Sequence, residues 1–186
     1  MNAQGMGASV ARKEDRRFLL GKGRYTDDIV LPGQTWGVFV RSPYAHAAIR
    51  SINASQATAA PGVLAVLTGD DVAADGLGGI PCGWQIKNKD GSVMVEPPHP
   101  ALAQGKVRHV GDPVALVIAE SKAAARDAAQ LVEVDYDPLP AVAHLNAAVA
   151  GGAPRVWDEA AGNVCFDWDL GDAAATEAEF AKADRV

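Results

Sequence analysis

Among the side chains of this sequence with chemical reach are four histidines, two cysteines and the acidic pairs Asp27-Asp28 and Asp70-Asp71. Their spacing limits the chemistry open to them. A metal site needs several ligands at helical or hairpin spacing, whereas His46, His99, His109 and His144 stand singly. His99 sits in Pro97-Pro-His-Pro100, a stiff extended stretch that reads as a surface or interface residue. Nucleophilic catalysis needs a Ser or Cys beside an oriented base, and no Gly-x-Ser-x-Gly elbow is present. Cys82, in Pro81-Cys-Gly-Trp84, is flanked by turn residues. A reactive thiol there is the form a small-enzyme reading would take, and Cys82→Ala would then abolish activity. Adjacent carboxylates point in different directions on most backbones, so the two Asp pairs read as turn and helix-cap residues. Gly21-Lys-Gly23 opens a Gly-x-Gly, but Thr26 stands where a dinucleotide fingerprint has its third glycine. No strand precedes it and no helix follows. No residue is assigned a catalytic, cofactor-binding or metal-binding role.

The elements that would position these residues can be read from periodicity. Residues 1–20 are polar and mixed in charge and read as an extended arm. Thr35–Arg41 is aromatic and β-branched, a strand, followed by a short strand at Ala48–Ile52. Asn53 is a plausible N-cap for an Ala-rich helix over 54–60, stopped by Pro61-Gly62. Val63–Thr68 is a continuous apolar run, the pattern of a strand buried on both faces, and Asp70-Asp71 opens a helical turn. Residues 75–99 hold five glycines and three prolines and form a long loop expected to pack against something outside this chain. Strands follow at Lys106–His109 and Pro113–Ala119, then a helix capped by Ser121. Leu131–Asp137 alternates with period two, placing Val132, Val134 and Tyr136 toward the core and Glu133, Asp135 and Asp137 toward water. Strand, helix and strand over 106–137 predict a right-handed βαβ unit in a mixed sheet. Beyond a turn at His144–Ala150 and a Gly-Pro linker, Asn163–Leu170 reads as a strand and Ala173–Ala183 as a helix.

A chain of 186 residues buries roughly 70% of the surface its unfolded form exposes, enough for one core without staples. Apolar residues make up 48% and charged residues 22%, which is a globular composition. A net charge of −6 argues against nucleic acid as a partner. Two lone cysteines suit a reducing compartment. No stretch approaches the ~20 apolar residues of a membrane span, and the opening residues lack the basic and apolar regions of a secretory signal. A cytoplasmic protein is expected.

Several motifs in fixed order carry a resemblance along nearly the whole chain. They include Glu14-Asp-Arg-Arg-Phe18, Gly21-x-Gly-x-Tyr-x-Asp-Asp-Ile29, Arg41-Ser-Pro-x-Ala-His46 and Pro61-Gly-Val-x-Ala-Val-Leu-Thr68. Val110-Gly-Asp-Pro-Val-Ala115, Asp127-Ala-Ala-x-Leu-Val-x-Val-x-Tyr136 and Leu139-Pro-Ala-Val142 continue the series. Together they resemble the N-terminal α/β-hammerhead domain of the molybdopterin-binding large subunit of the xanthine dehydrogenase, aldehyde oxidase and aerobic carbon monoxide dehydrogenase family. The Glu-Asp-x-Arg-Phe opening is nearer to the carbon monoxide dehydrogenase-like members.

The resemblance implies an α+β fold with an arm at 1–20, the hammerhead over 21–150, and at 151–186 a linker into a molybdenum-binding domain. It implies molybdopterin in the full-length enzyme, with iron–sulfur clusters and FAD on partner subunits and no cofactor on this chain. The implied partners are the molybdenum-binding domains of the same subunit and the iron–sulfur and flavin subunits. The full enzyme would oxidise a purine, an aldehyde, an N-heterocycle or carbon monoxide. The family's cofactor contacts and catalytic glutamate lie in later domains, so none is carried over. The unfinished segment at Asp184-Arg-Val186 favours a fragment over the alternative, a stand-alone interaction or assembly module without catalysis.

Overall fold

The computed structural model describes residues 5–7, 10 and 12–185. It divides into two compact units, residues 1–34 and 35–186. In the first, α1 (Asp15–Leu19) and a 3-10 turn at Thr26–Asp28 flank the Gly21–Gly23 turn. The arm expected over 1–20 falls partly outside the described residues, as does the secretory-signal reading. Within them, 15–19 are helical rather than extended. The Phe18 and Tyr25 rings stack at 5.5 Å, and a Cβ on Gly23 would meet the Phe18 ring at 2.6 Å, so a side chain there displaces that ring.

The second unit holds β1 (Trp36–Arg41), β2 (Ala47–Asn53), α2 (Ser55–Thr58), β3 (Val63–Thr68) and α3 (Gly69–Ala74). After the long loop come β4 (Lys106–Val107), β5 (Pro113–Ala119), α4 (Lys122–Ala129), β6 (Glu133–Pro138), α5 (Leu145–Ala148) and α6 (Ala173–Phe180). Two three-stranded sheets form, in orders β1-β5-β3 and β4-β2-β6, and every strand pair is antiparallel.

The expected α+β class is observed; the sheet detail is corrected. Strand, helix and strand do follow one another at β5, α4 and β6, but β5 lies in one sheet and β6 in the other, so no parallel crossover forms. β5 is instead the centre of its sheet, paired on both sides by strands from 45 or more residues earlier. The apolar run at β3 is an edge strand with Leu64 exposed, not a strand buried on both faces. Asn163–Leu170 forms no strand; residues 161–163 are a 3-10 turn.

Small side chains explain how the helices reach the first sheet. Ala115, Val117 and Ala119 alternate along β5 and are fully buried, as are Ala57 of α2 and Ala125 of α4, with Ala128 nearly so. One cluster joins Ala57, Ala115, Val117, Ala128 and Val132; another joins Ala47, Ala103, Val107 and Val114. Val40 and Val134 pack against both, coupling the sheets. The period-two reading of β6 holds: Val132 is buried, Val134 and Tyr136 half-buried, and Glu133 and Asp135 exposed. Asp137 pairs with Arg50 across the strands at 3.0 Å. The Ser121 hydroxyl accepts the Ala124 N–H and caps α4. No helix among the described residues is long and apolar enough to cross a membrane.

Candidate functional site

The sequence motifs around Arg41–His46, Gly111-Asp112 and Leu139-Pro140 converge on one junction. Ser42 N–H donates to the Asp112 carbonyl at 2.9 Å, and Gly111 N–H returns a bond to the Ser42 carbonyl at 2.8 Å. Arg41 Nη1 donates to the Gly111 carbonyl at 2.8 Å. Four residues after Ser42, His46 Nδ1 donates to the Pro140 carbonyl at 2.8 Å while its own carbonyl accepts Leu139 N–H at 3.0 Å. A carbonyl oxygen can only accept, so the geometry fixes Nδ1 as the protonated nitrogen. The ring is buried and, among the described residues, Nε2 has no hydrogen-bond partner. Ser42, also buried, both donates to and accepts from the Tyr44 main chain, and Tyr44 lies 5.2 Å from the Tyr136 ring, whose phenol burial pushes up. These residues bind the ends of β1, β2, β5 and β6 together through main-chain groups. Arg41 and Tyr44 are exposed, while Ser42 and His46 are buried.

A hollow of about 400 Å³ lies beside this junction. His99 and His109, single in sequence, both line it, together with Arg108, Asp112 and Trp157. The Arg108 guanidinium lies 3.6 Å from the Trp157 ring centroid, a close cation–π stack. Its Nε donates to the Val156 carbonyl and Nη1 to the Lys106 carbonyl, both at 3.2 Å. The Asp112 carboxylate accepts Arg108 N–H at 2.8 Å and lies 3.7 Å from His109 Nδ1. Burial holds the guanidinium below its ordinary value, opposed by the negative charges of Asp112, Glu159 and Asp158. The Arg108–Trp157 pair escaped sequence reading because 48 residues separate its members; an arginine between strand residues and a lone tryptophan after a proline carry no signal of meeting.

The remaining candidates are dispersed. His144 sits at the N-cap of α5. The Asp71 carboxylate accepts the Thr68 N–H and hydroxyl, each at 2.7 Å, which holds it below the usual carboxylate range. Asp28 accepts Tyr25 N–H at 2.9 Å. Both pairs therefore shape helix starts. Gly21 adopts φ 66°, a turn conformation suited to glycine. Cys82 is exposed, and its thiol donates to the Trp84 carbonyl at 3.1 Å. Its N–H and the Gln85 side-chain amide share the Glu96 carboxylate. Among the described residues, no His or Lys is one of these partners. The long loop is thus tied by its own side chains and by Ile80 N–H to the His99 carbonyl. Cys165 is half-buried and also free. No group of three or more His, Cys, Asp or Glu among the described residues could hold a metal ion.

Comparison with known proteins places these motifs in a family. Residues 20–140 match the family model for the aldehyde oxidase and xanthine dehydrogenase a/b hammerhead domain. The carbon monoxide dehydrogenase large chain of Afipia carboxidovorans is 42% identical over 98% of this chain and 23% of its own. The nicotine 6-hydroxylase large subunit of Paenarthrobacter nicotinovorans is 41% identical over 79% of this chain and 17% of its own. Among solved structures, the reconstituted CO dehydrogenase from Oligotropha carboxidovorans superposes with a TM-score of 0.72 at 38% identity, covering 97% of this chain and 23% of that one. Quinoline 2-oxidoreductase from Pseudomonas putida 86 gives 0.66 at 46% identity over 79% and 18%. The chain spans about a quarter or less of these relatives.

Proposed function

This chain belongs to the hammerhead-domain family of aldehyde oxidases and xanthine dehydrogenases, and on that premise we propose that it serves as the N-terminal structural domain of a molybdenum hydroxylase large subunit. The observation that carries the reading is the convergence of its motifs on main-chain bonds at the Arg41–His46 junction. Residues held for catalysis would aim side chains at a common point; Arg41, Ser42 and His46 aim theirs at the separate main-chain carbonyls of Gly111, Tyr44 and Pro140.

In the full enzyme a molybdopterin-bound molybdenum would supply the oxidation, of a purine, an aldehyde, an N-heterocycle or carbon monoxide. The residues present do not fit that group. The hollow offers one guanidinium, already committed to two carbonyls, with Asp112, Asp158 and Glu159 around it, which repels a phosphate-bearing cofactor. Residues 21–150 would form the hammerhead and 151–186 the lead into a molybdenum-binding domain, with iron–sulfur and flavin subunits as further partners. The two free thiols suit a cytoplasmic location.

Steady-state assays of the isolated chain with these substrate classes and an artificial electron acceptor test the assignment. No turnover is expected. Substrate oxidation by this chain alone would overturn it.

A further inference from the structure

The segment after Asn163 carries a strand-like pattern that no strand among the described residues pairs with. Phe166, Trp168 and Leu170 alternate with Cys165, Asp167 and Asp169. The first three are 49%, 39% and 87% exposed, and Trp84, 69% exposed, stands edge-on to Trp168 at 5.8 Å. Apolar alternation over such a length is the mark of a half-buried strand, yet no strand forms.

The backbone explains why. The Cys165 carbonyl accepts Val95 N–H at 2.8 Å, the Asp167 carbonyl accepts Lys89 N–H at 2.9 Å, and Asp167 N–H donates to Asn88 Oδ1 at 2.8 Å. Residues 165 and 167 thus turn their main-chain groups inward to the long loop. On an extended backbone, residues 166 and 168 turn theirs the other way. Among the described residues, neither of these two finds a hydrogen-bond partner for its N–H or C=O. The result is half a ladder: one edge satisfied, one open, and an apolar row alongside it. Native proteins seldom leave such an edge bare.

Charge narrows the occupant. Lys89 Nζ is 3.1 Å from Asp167 and 3.8 Å from Asp169, so one cation serves two carboxylates on the polar face of the segment. A second copy pairing here would bring its own acidic row against this one, and like charges across strands are destabilising. We propose that the open edge of residues 166–170 receives an extended segment of a partner polypeptide in which apolar and basic residues alternate. Main-chain bonds at Phe166 and Trp168 provide attachment, and the acidic row sets direction and selectivity. The inference rests on this edge and does not depend on the enzyme assignment.

The test uses the 186-residue chain with two short synthetic peptides, one alternating Lys and Val, the other Glu and Val. Amide exchange at Phe166 and Trp168 is followed by NMR, with indole fluorescence and sedimentation alongside. The Lys–Val peptide is expected to bind saturably, slow exchange at both amides, and bind about tenfold more tightly than the Glu–Val peptide. Phe166→Pro, which deletes an outward donor, should abolish binding. Asp169→Lys, at an exposed position, should shift the preference toward Glu–Val. Absent protection, equal binding of both peptides, or unchanged preference in Asp169→Lys would overturn the proposal. So would protection of the two amides in a peptide-free dimer, which would make a second copy the occupant.

Discussion

Replacing Gly69 with alanine sets two physical effects against each other, and the structure decides the sign. Gly69 is the first residue of α3, is buried, and does not adopt positive φ. By propensity and unfolded-chain entropy, Gly→Ala at such a site stabilises by about 0.4–1 kcal/mol. The added Cβ, however, would lie 2.3 Å from the Ala103 carbonyl oxygen and 3.0 Å from its carbon. Ala103 cannot step aside freely, since its N–H is bonded to the Pro113 carbonyl of β5 at 2.7 Å. Overpacking against fixed atoms costs about 1–3 kcal/mol, so Gly69→Ala should lose about 1–2 kcal/mol net. In a domain of this size that lowers Tm by roughly 3–6 °C. Gly78→Ala is the control: nothing lies within 4 Å of its Cβ position, and the same change should be neutral or mildly stabilising. Thermal and urea melts of both variants give the answer. Equal or greater stability of Gly69→Ala would refute the close approach of α3 to residue 103.

Three further perturbations probe the core, the hollow and a helix cap. Val117→Ala deletes two fully buried methyl groups between α4 and the first sheet; urea melts should show a loss of about 2–3 kcal/mol. Arg108→Lys keeps the charge but cannot reproduce the planar stack on Trp157 with two carbonyl bonds. A loss of about 1–2 kcal/mol, with an altered indole emission spectrum, is expected. Asp71 titrates below its ordinary value when folded because Thr68 donates to it. Its contribution is complete above the unfolded carboxylate range near pH ~4 and is lost as pH falls through the folded value. The stability gap between the native chain and Asp71→Asn, measured by urea melts across pH, should therefore be present at neutral pH and close in acid.

What was legible in the sequence was what neighbouring residues decide. The alternation of 132–137, the Ser121 cap and the apolar run of β5 are local, and each appears where expected. Strand partnership is not local. β6 pairs with β2, some 80 residues earlier, and nothing within 106–137 distinguishes that from pairing with β5. A continuous apolar run reads as doubly buried, yet β3 spends that character on an edge beside α2 and α3. The alternation at 163–170 was legible as a strand; in the structure its residues 165 and 167 bond to the irregular loop at 88–95 and no ladder forms. The site divides the same way. The motifs of the junction stand out in the sequence, but their role as mutual backbone staples, and the stacking of Arg108 on Trp157, emerge only when distant segments meet.

The most direct test of the central claim, that this chain is the structural domain of a molybdenum hydroxylase large subunit, is the intact mass of the native polypeptide from its source cell with molybdenum assayed on the same sample. The account predicts a polypeptide several times longer than 186 residues that carries molybdenum. A native product ending near Val186 without metal would contradict it and leave a binding or assembly module with the same fold.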